Sequence, residues 1–344
     1  MTTLRARAYA KINLGLRILG RRADGFHELR TIFQTISLAD TVTLRLGPGR
    51  GVRLESVQAA AAVDWPAMSE EKNLACRAAQ LAQEEFGPRA RIGIRLSKRI
   101  PVGAGLGGGS ADAAAVLRLL AGRARPRPPA QLLLQLAGTL GSDVPALLLG
   151  GTVLGLGRGE ECYRLPSLPS WHVLVVMPPG PVATAAAYQR WDQLHPAATG
   201  LTGPEISANM MTLLASLRRV QDKTGDSASR AAPASRLERD RGSAVAELKV
   251  RAGIENDFEE VVFPLSPDFS ALHRALKRSG AVCVGLSGSG AAQFALFPCR
   301  QAALTVQARL RPRARSWTAR FVAPPAGAPM GGPAADGFWG VVQR

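Results

Sequence analysis

Five of the seven residues from 103 to 109 are glycines, and this segment is the part of the chain best suited to chemistry. Residues 101–114 read PVGAGLGGGSADAA. Because glycine has no Cβ, a ligand can approach such a backbone closely, and its N–H groups can turn towards an anion. A helix beginning at Ser110 would add free N–H groups and the positive end of its dipole. The segment therefore predicts a phosphate-binding loop.

Other kinds of glycine-rich segment are alternatives. A Walker A loop ends in Gly-Lys-Ser/Thr, and no lysine stands at that place. The spacing Gly103-x-Gly105-x-x-Gly108 fits a dinucleotide fingerprint, but residues 122–130, GRARPRPPA, lack the acidic residue that would hold a ribose. A protein-kinase loop requires His-Arg-Asp and Asp-Phe-Gly motifs, which the sequence lacks. A flexible turn stays an alternative, although it does not require five glycines ahead of a helix start.

Lys11 and Asp143 have the side-chain types that phosphoryl transfer requires. The reaction needs a phosphate cradle, Mg²⁺, a cation that balances developing charge, and a group that orients or deprotonates the acceptor hydroxyl. Lys11 is the candidate cation, and Asp143, in LGSDVPALLLGG (140–151), is the candidate base. Each also has a plainer interpretation: Lys11 as a solvated strand residue, and Asp143 as the cap of a helix with Pro145 in its first turn.

The composition indicates the class of protein. A chain of 344 residues with 46% hydrophobic and 20% charged residues is typical of a soluble protein of two domains. Four widely spaced cysteines without a Cys-x-x-Cys pair argue against a zinc site or a disulfide framework, so we expect a cytoplasmic protein. The first residues lack the apolar core of a signal peptide. The best apolar run, 144–157, is too short and too rich in glycine to span a bilayer.

The formal net charge is +17. The charge has three interpretations: nucleic-acid binding, attraction of polyanionic substrates, and compositional drift in which arginine replaces lysine across a proteome. Much of the excess lies in Arg-Pro-Ala-rich stretches such as 122–129 and the segment after 310, which favours the third. Basic residues do not alternate with aromatic ones, so we expect a small-molecule substrate and neither a nucleic-acid nor a membrane partner.

The elements that must position these residues follow from hydrophobic periodicity. Alternation over residues 7–19 predicts a strand that presents Lys11 and Asn13 on one side. Ser110 is predicted to cap a helix that has Asp112 in its first turn. Further strands are predicted at 31–37, 41–46 and 91–96, helices at 73–85, 110–122 and 130–140, and a hairpin at 151–165.

A change of composition near residues 166–170 predicts domains at 1–168 and 169–322. The second domain is expected to hold a strand at 171–177, a helix that begins at Ser266-Pro267, and a strand at 282–285. Residues 218–251 are basic with little apolar periodicity, which predicts an insertion, either a solvated helix pair or partly disordered. Residues 323–344 are rich in Pro, Gly and Ala and are expected to form a loose tail.

The order of these segments resembles the GHMP small-molecule kinases. The resemblance extends over about residues 7–297, and its segments are AKINLGL (10–16), RRADGFHEL (21–29), IPVGAGLGGGSADAA (100–114), LGSDVPALLLGG (140–151) and LSGSGAAQF (286–294). It implies an α+β protein with a ribosomal-protein-S5-like N-terminal domain, a ferredoxin-like C-terminal domain, and ATP and Mg²⁺ as cofactors. The first two segments resemble the branch that phosphorylates the 2-hydroxyl of a CDP-linked methylerythritol in the non-mevalonate isoprenoid pathway. A mevalonate- or homoserine-type kinase is the nearest alternative.

The resemblance also implies a role for each candidate residue of the phosphoryl-transfer site. Asp143 would be the general base, Lys11 would hold it ionised and stabilise the transferring phosphoryl group, and Asn13 would contact the substrate near the reacting hydroxyl. No magnesium ligand is predicted. The residues implied to bind ATP are Asn73, Pro101, Val102, Gly103, Ala104, Gly105, Leu106, Gly107, Gly108, Gly109, Ser110 and Ala111.

The cytidine end of the substrate is implied to bind elsewhere. Phe26 would stack on the cytosine, His27 would hydrogen-bond it, and Tyr188 would lie on its other face. Phe26 stands where the family usually has tyrosine, so stacking is kept and a phenol hydrogen bond is lost. A segment of the second domain is implied to close the site, and it consists of Ser287, Gly288, Ser289 and Gly290.

Overall fold

The structure is a computed structural model that describes residues 2–60, 69–165, 167–168, 170–180, 182–196, 255–310 and 314–323. The insertion predicted at 218–251 lies outside the described residues, as does the tail predicted at 323–344 except for its first residue. No described helix is both long enough and apolar enough to cross a bilayer.

Two long antiparallel strands form the first sheet together with four shorter ones. β1 (Thr2–Arg21) pairs with β2 (His27–Gly47) along almost its whole length. The remaining strands are β3 (Val52–Ala59), β4 (Arg91–Lys98), β5 (Thr152–Leu156) and β6 (Glu161–Arg164). The sheet order is β3-β4-β2-β5-β6, with β1 on β2.

The separate strands predicted at 31–37 and 41–46 are one strand, β2. Aspartate disfavours strands, so a break near Asp40 was a reasonable expectation. The carboxylate of Asp40, however, is fully buried and paired with Lys98, which removes the reason for a break. A register shift opposite Tyr9 and Lys11 lets the pairing with β1 continue on both sides of this region.

Four helices of the first part of the chain contribute to its core: α1 (Leu74–Glu85), α2 (Gly108–Arg123), α3 (Ala130–Leu140) and α4 (Val144–Leu149). The prediction that Ser110 caps α2 is wrong, because Gly107 holds the capping position in the left-handed conformation, with φ of 70°. The Ala111 N–H donates to the Gly107 carbonyl, which closes the first turn earlier than expected. Asp112 therefore lies beyond the first turn and is buried.

The second sheet has the order β10-β7-β9-β8, and its neighbouring strands are all antiparallel. These strands are β7 (His172–Met177), β8 (Cys283–Leu286), β9 (Gln293–Phe297) and β10 (Arg315–Arg320). The accompanying helices are α5 (Thr184–Leu194), α6 (Glu259–Val262), α7 (Pro267–Lys277) and α8 (Arg300–Leu310). The predicted start of α7 is confirmed, since the Ser266 side chain accepts a hydrogen bond from the Asp268 N–H.

The two sheets share a core. Phe294 and Trp171 of the second part lie in the same hydrophobic cluster as Ile36 of β2, and an antiparallel bridge joins Ile36 to Phe321. A second bridge joins Leu16 of β1 to Asn256. The predicted boundary at 168/169 separates the strands of the two sheets and stays a prediction.

Candidate active site

Lys11 of β1 and Asp143 at the start of α4 lie side by side. The Lys11 Nζ is 3.3 Å from the Asp143 Oδ2, and the two side chains are 4% and 32% exposed. Lys11 is therefore not a solvated strand residue. Asp143 holds the capping position of α4, but its side chain makes no capping hydrogen bond, so its contact with Lys11 is its main described interaction.

Asn13 and Thr31 fix the lysine from the other side. The Lys11 Nζ donates to the Asn13 Oδ1 at 2.7 Å, and the Asn13 Nδ2 donates to the Thr31 Oγ1 at 2.7 Å. The Thr31 hydroxyl in turn donates to the Gly15 carbonyl at 2.7 Å. This chain of hydrogen bonds runs between β1 and β2 and settles the orientation of the Asn13 amide. Sequence reasoning missed Thr31, because its partner is defined only by the register of the two strands.

The glycine loop (residues 101–109) passes directly over the lysine. The Lys11 N–H donates to the Leu106 carbonyl at 3.1 Å. A Cβ on Gly107 would lie 3.3 Å from the Lys11 Cγ and 3.1 Å from a Leu147 methyl group. With its left-handed φ as well, position 107 requires glycine for the loop to approach Lys11. The loop then leads into α2, whose first N–H groups have no partner within the helix, as at any helix start.

The SGSG segment (residues 287–290) packs against the glycine loop from the second sheet. The Ser287 Oγ donates to the Gly105 carbonyl at 3.0 Å, and the Ala292 N–H donates to the Ala104 carbonyl at 3.2 Å. A Cβ on Gly288 would lie 3.4 Å from the Lys11 Nζ. The two glycine-rich segments and the lysine therefore converge at one place.

Asn256 holds the SGSG segment in position, and sequence reasoning missed it. Its Nδ2 donates to the carbonyls of Leu286 and Gly288 at 2.9 and 2.8 Å, and its Oδ1 accepts from the Phe258 N–H at 3.0 Å. The side chain is 5% exposed. An asparagine shortly before a helix is a usual capping signal, but the contacts with residues 286 and 288 follow only from the tertiary structure.

A buried ionic cluster of Lys98, Asp40 and Asp112 lies beneath the start of the glycine loop. The Lys98 Nζ contacts a carboxylate oxygen of each aspartate, and the three residues are 0–2% exposed. The Asp40 Oδ1 accepts from the N–H groups of Arg99 and Ile100, which directly precede the loop. Burial raises the pKa of Asp112 to about 7, the ammonium group of Lys98 opposes this shift, and the Asp40 carboxylate adds to it. The cluster fixes the backbone where the loop begins.

Asn73 begins α1. Its Oδ1 accepts from the Ala75 N–H at 2.9 Å, and it is 3% exposed. Leu74, the next residue, has a methyl group 3.6 Å from the position that a Cβ on Gly109 would take. The starts of α1 and α2 therefore lie close together, and a role of Asn73 towards a nucleotide stays a prediction.

The β1–β2 turn contacts α5. The His27 side chain is 8% exposed, and its Nε2 lies 2.6 Å from the Asp192 Oδ1. The Tyr188 ring stacks on the imidazole with centroids 4.5 Å apart and planes at 20°. Burial, and secondarily the Asp143 carboxylate, raises the pKa of Tyr188. Phe26 is 52% exposed, and the Arg158 guanidinium lies 4.7 Å from its ring centroid. Tyr188 thus lies against His27, a contact that the sequence did not predict.

No group of three or more His, Cys, Asp and Glu side chains in the described ranges could hold a metal ion. Mg²⁺ in phosphoryl-transfer sites is usually held by one or two carboxylates, waters and substrate phosphates, rather than by a cage of protein ligands. The described residues therefore fit a Mg²⁺ ion that is held mainly through substrate phosphates and water.

Comparison with known proteins agrees with this geometry. The GHMP kinases N terminal domain matches residues 73–151, and the GHMP kinases C terminal domain matches residues 238–314. A protein of Solibacter usitatus is 43% identical over 86% of this chain and 82% of its own length. One of Moorella thermoacetica is 39% identical over 90% of this chain and 96% of its own. The chain belongs to the GHMP kinase family, as its motifs predicted.

The two relatives carry the same name, 4-diphosphocytidyl-2-C-methyl-D-erythritol kinase. A crystal structure of 4-(cytidine 5'-diphospho)-2C-methyl-D-erythritol kinase superposes with a TM-score of 0.67 and 30% identity, covering 92% of this chain and 99% of the other. Homoserine kinase from Cytophaga hutchinsonii superposes with a TM-score of 0.63 at 22% identity, covering 94% and 96% of the two chains, and shares the fold. The predicted α+β two-domain kinase architecture is confirmed.

Proposed function

We propose that this protein transfers the γ-phosphoryl group of ATP to the 2-hydroxyl of 4-diphosphocytidyl-2-C-methyl-D-erythritol. The observation that carries the proposal is the 3.3 Å contact between Lys11 and Asp143 beside two packed glycine segments. The names of relatives that are 43% and 39% identical over most of the chain support the choice of substrate.

Asp143 has the position of a general base. It is 32% exposed, so an acceptor hydroxyl can reach it, whereas Lys11 behind it is almost fully buried. The hydroxyl proton passes to the Asp143 carboxylate as the oxygen attacks the γ-phosphorus, and the bond from that phosphorus to the bridging oxygen breaks to release ADP. The Lys11 ammonium stabilises the negative charge that builds up on the transferring group.

The glycine loop and the start of α2 would bind the ATP phosphates. The loop has a glycine-rich backbone, and α2 is a helix of 16 residues whose dipole favours an anion at its first turn. Asn73 at the neighbouring helix start would lie near the nucleotide. Bound Mg²⁺ would neutralise phosphate charge, and it would be held mainly through the phosphates and water, which leaves Asp143 free to accept the proton.

The β1–β2 turn would bind the cytidine. Phe26 has a largely exposed ring that can stack on a base, and its neighbour His27 can offer a hydrogen bond. The Tyr188 ring stacks on one face of the His27 imidazole and supports it there. Mevalonate- and homoserine-type substrates have no base that could occupy this turn. The turn therefore favours the CDP-linked substrate, and the other two activities are the second candidates.

The test is ATP consumption with the CDP-linked methylerythritol, mevalonate and homoserine in parallel. We expect turnover only with the first compound. Asp143→Asn should lower kcat by about 10²-fold or more while ATP still binds, because the proton acceptor is lost. Asp268→Asn, which changes an exposed carboxylate at the start of α7, is the matched control and should keep wild-type kcat. An Asp143→Asn variant with full turnover would contradict the mechanism, and turnover of mevalonate or homoserine instead would contradict the substrate.

A further inference from the structure

α5 presents three side chains to the imidazole of His27. Tyr188 stacks on the ring, Trp191 meets it edge-on with centroids 5.9 Å apart, and Asp192 contacts its Nε2 at 2.6 Å. Residues 188, 191 and 192 have the i, i+3, i+4 spacing of a single helix face. The helix therefore holds His27, the first residue of β2, by two aromatic rings and a carboxylate.

The carboxylate determines which nitrogen of His27 carries a proton. An ionised carboxylate only accepts hydrogen bonds, so the Nε2 must donate to Asp192. A neutral imidazole with a protonated Nε2 has a lone pair on Nδ1. Within the described ranges, no hydrogen bond to the His27 Nδ1 is formed, so this lone pair can accept from a ligand.

We propose that Asp192 is a positioning residue that makes His27 selective for cytosine over uracil. This inference rests on the proposed function, in which His27 hydrogen-bonds the base. Cytosine carries an amino donor at position 4, where uracil carries a carbonyl acceptor. An Nδ1 lone pair attracts the first and repels the second. Without the Asp192 carboxylate, the proton can move to Nδ1, and the ring then donates to uracil.

The tautomer can be measured directly. In the wild-type protein labelled with ¹⁵N-histidine, we expect a protonated Nε2 and a bare Nδ1 for His27, assigned from the signal that His27→Gln removes. In Asp192→Asn, we expect a mixture of both tautomers, because an amide can accept or donate. A wild-type His27 protonated at Nδ1, alone or together with Nε2, would overturn the proposal.

The second readout is selectivity. We compare kcat/KM for the CDP-linked methylerythritol with kcat/KM for its UDP-linked counterpart. In Asp192→Asn this ratio should fall by about 10-fold or more, since one hydrogen bond changes from attractive to repulsive. The KM for ATP should stay within about twofold of wild type, because none of the contacts described for His27 is with the glycine loop. An equal loss with both nucleotides would mean that Asp192 has only a structural role and would overturn the proposal.

The same helix offers a matched control. His195 stacks on Trp191 with centroids 4.5 Å apart, and its Nε2 lies 3.2 Å from the Glu260 Oε1. Glu260→Gln thus removes a comparable carboxylate–histidine contact without touching His27, and it should leave the ratio unchanged. A wild-type enzyme that does not use the CDP-linked compound would overturn the proposed function as well. A wild-type enzyme that uses it, with an unchanged ratio in Asp192→Asn, would overturn only this inference.

Discussion

Replacing Gly290 with alanine places a methyl group in the contact between the SGSG segment and the glycine loop. The new Cβ would lie 2.4 Å from the Gly105 nitrogen and 2.5 Å from the Ala104 carbonyl carbon. Both neighbours are main-chain atoms and cannot rotate away. Gly290 does not have a left-handed φ, so the substitution adds this contact and no backbone penalty.

The size of the effect follows from those distances. Contacts of a real Cβ are rarely below 3.4 Å, so the two segments must separate by roughly 1 Å. That shift breaks the hydrogen bonds from Ser287 to Gly105 and from Ala292 to Ala104, each worth about 1 kcal/mol. With about 1 kcal/mol of overpacking, the free energy of unfolding should fall by about 3 kcal/mol. A misplacement of about 1 Å in the glycine loop should also lower kcat/KM for ATP by about 10²-fold.

The assay combines thermal unfolding with steady-state kinetics at a temperature where the variant is fully folded. For a chain of 344 residues that unfolds as one unit, a loss of about 3 kcal/mol lowers Tm by about 4 °C. Gly138→Ala is the control: nothing lies within 4 Å of its added Cβ, and alanine favours the interior of α3 by about 0.5–1 kcal/mol. Wild-type kcat/KM for ATP in Gly290→Ala would refute the view that this contact positions the loop.

Two further predictions concern the supports of the site. Because the pKa of Asp112 is about 7 in the folded protein against an ordinary 3.8, the folded state retains a proton that the unfolded chain releases between these values. Stability should therefore fall as pH rises through this range. Between pH 5.5 and 7.5 the wild type should lose roughly 2 kcal/mol more than Asp112→Asn in urea unfolding, and parallel profiles would contradict this. Asn256→Ala removes the amide that donates to the Leu286 and Gly288 carbonyls, so the free energy of unfolding should fall by about 2–3 kcal/mol and the KM for ATP should rise. An unchanged KM would show that the SGSG segment does not contribute to nucleotide binding.

Local patterns in the sequence were sufficient for most elements. The alternation of β1 and the apolar spacing of α1 and α3 predicted elements close to those observed, because each buries one face against the core. The start of α2 was misplaced, since a glycine in the left-handed conformation ended the loop before the expected Ser110 cap. The single strand β2 was predicted as two strands, and Asp40, which lies between the two predicted ranges, is buried and paired with Lys98 in the structure.

In the candidate site, too, local sequence was sufficient for some residues, and tertiary contacts were needed to find the others. The residue types of Lys11 and Asp143 could be picked out from the sequence, and the structure brings them together. Asn256, Asp192 and Thr31 could not be found in this way, since each acts on a residue that is distant along the chain and adjacent only in the folded protein. Hydrogen-bond partners of this kind have no local signal in a single sequence.

Two sites of the proposed reaction are joined by a single stretch of β2. His27 begins the strand, and four residues later Thr31 binds Asn13, next to the Lys11–Asp143 pair. A strand rises about 3.3 Å per residue, so these two points are about 13 Å apart. Pairing with β1 runs along this interval, and pairing with β5 begins at Thr31, so both ends of the interval are held in the sheet. β2 is thus a spacer of fixed length, and an acceptor alcohol linked to cytidine through a shorter bridge would leave its hydroxyl out of reach when the base is bound.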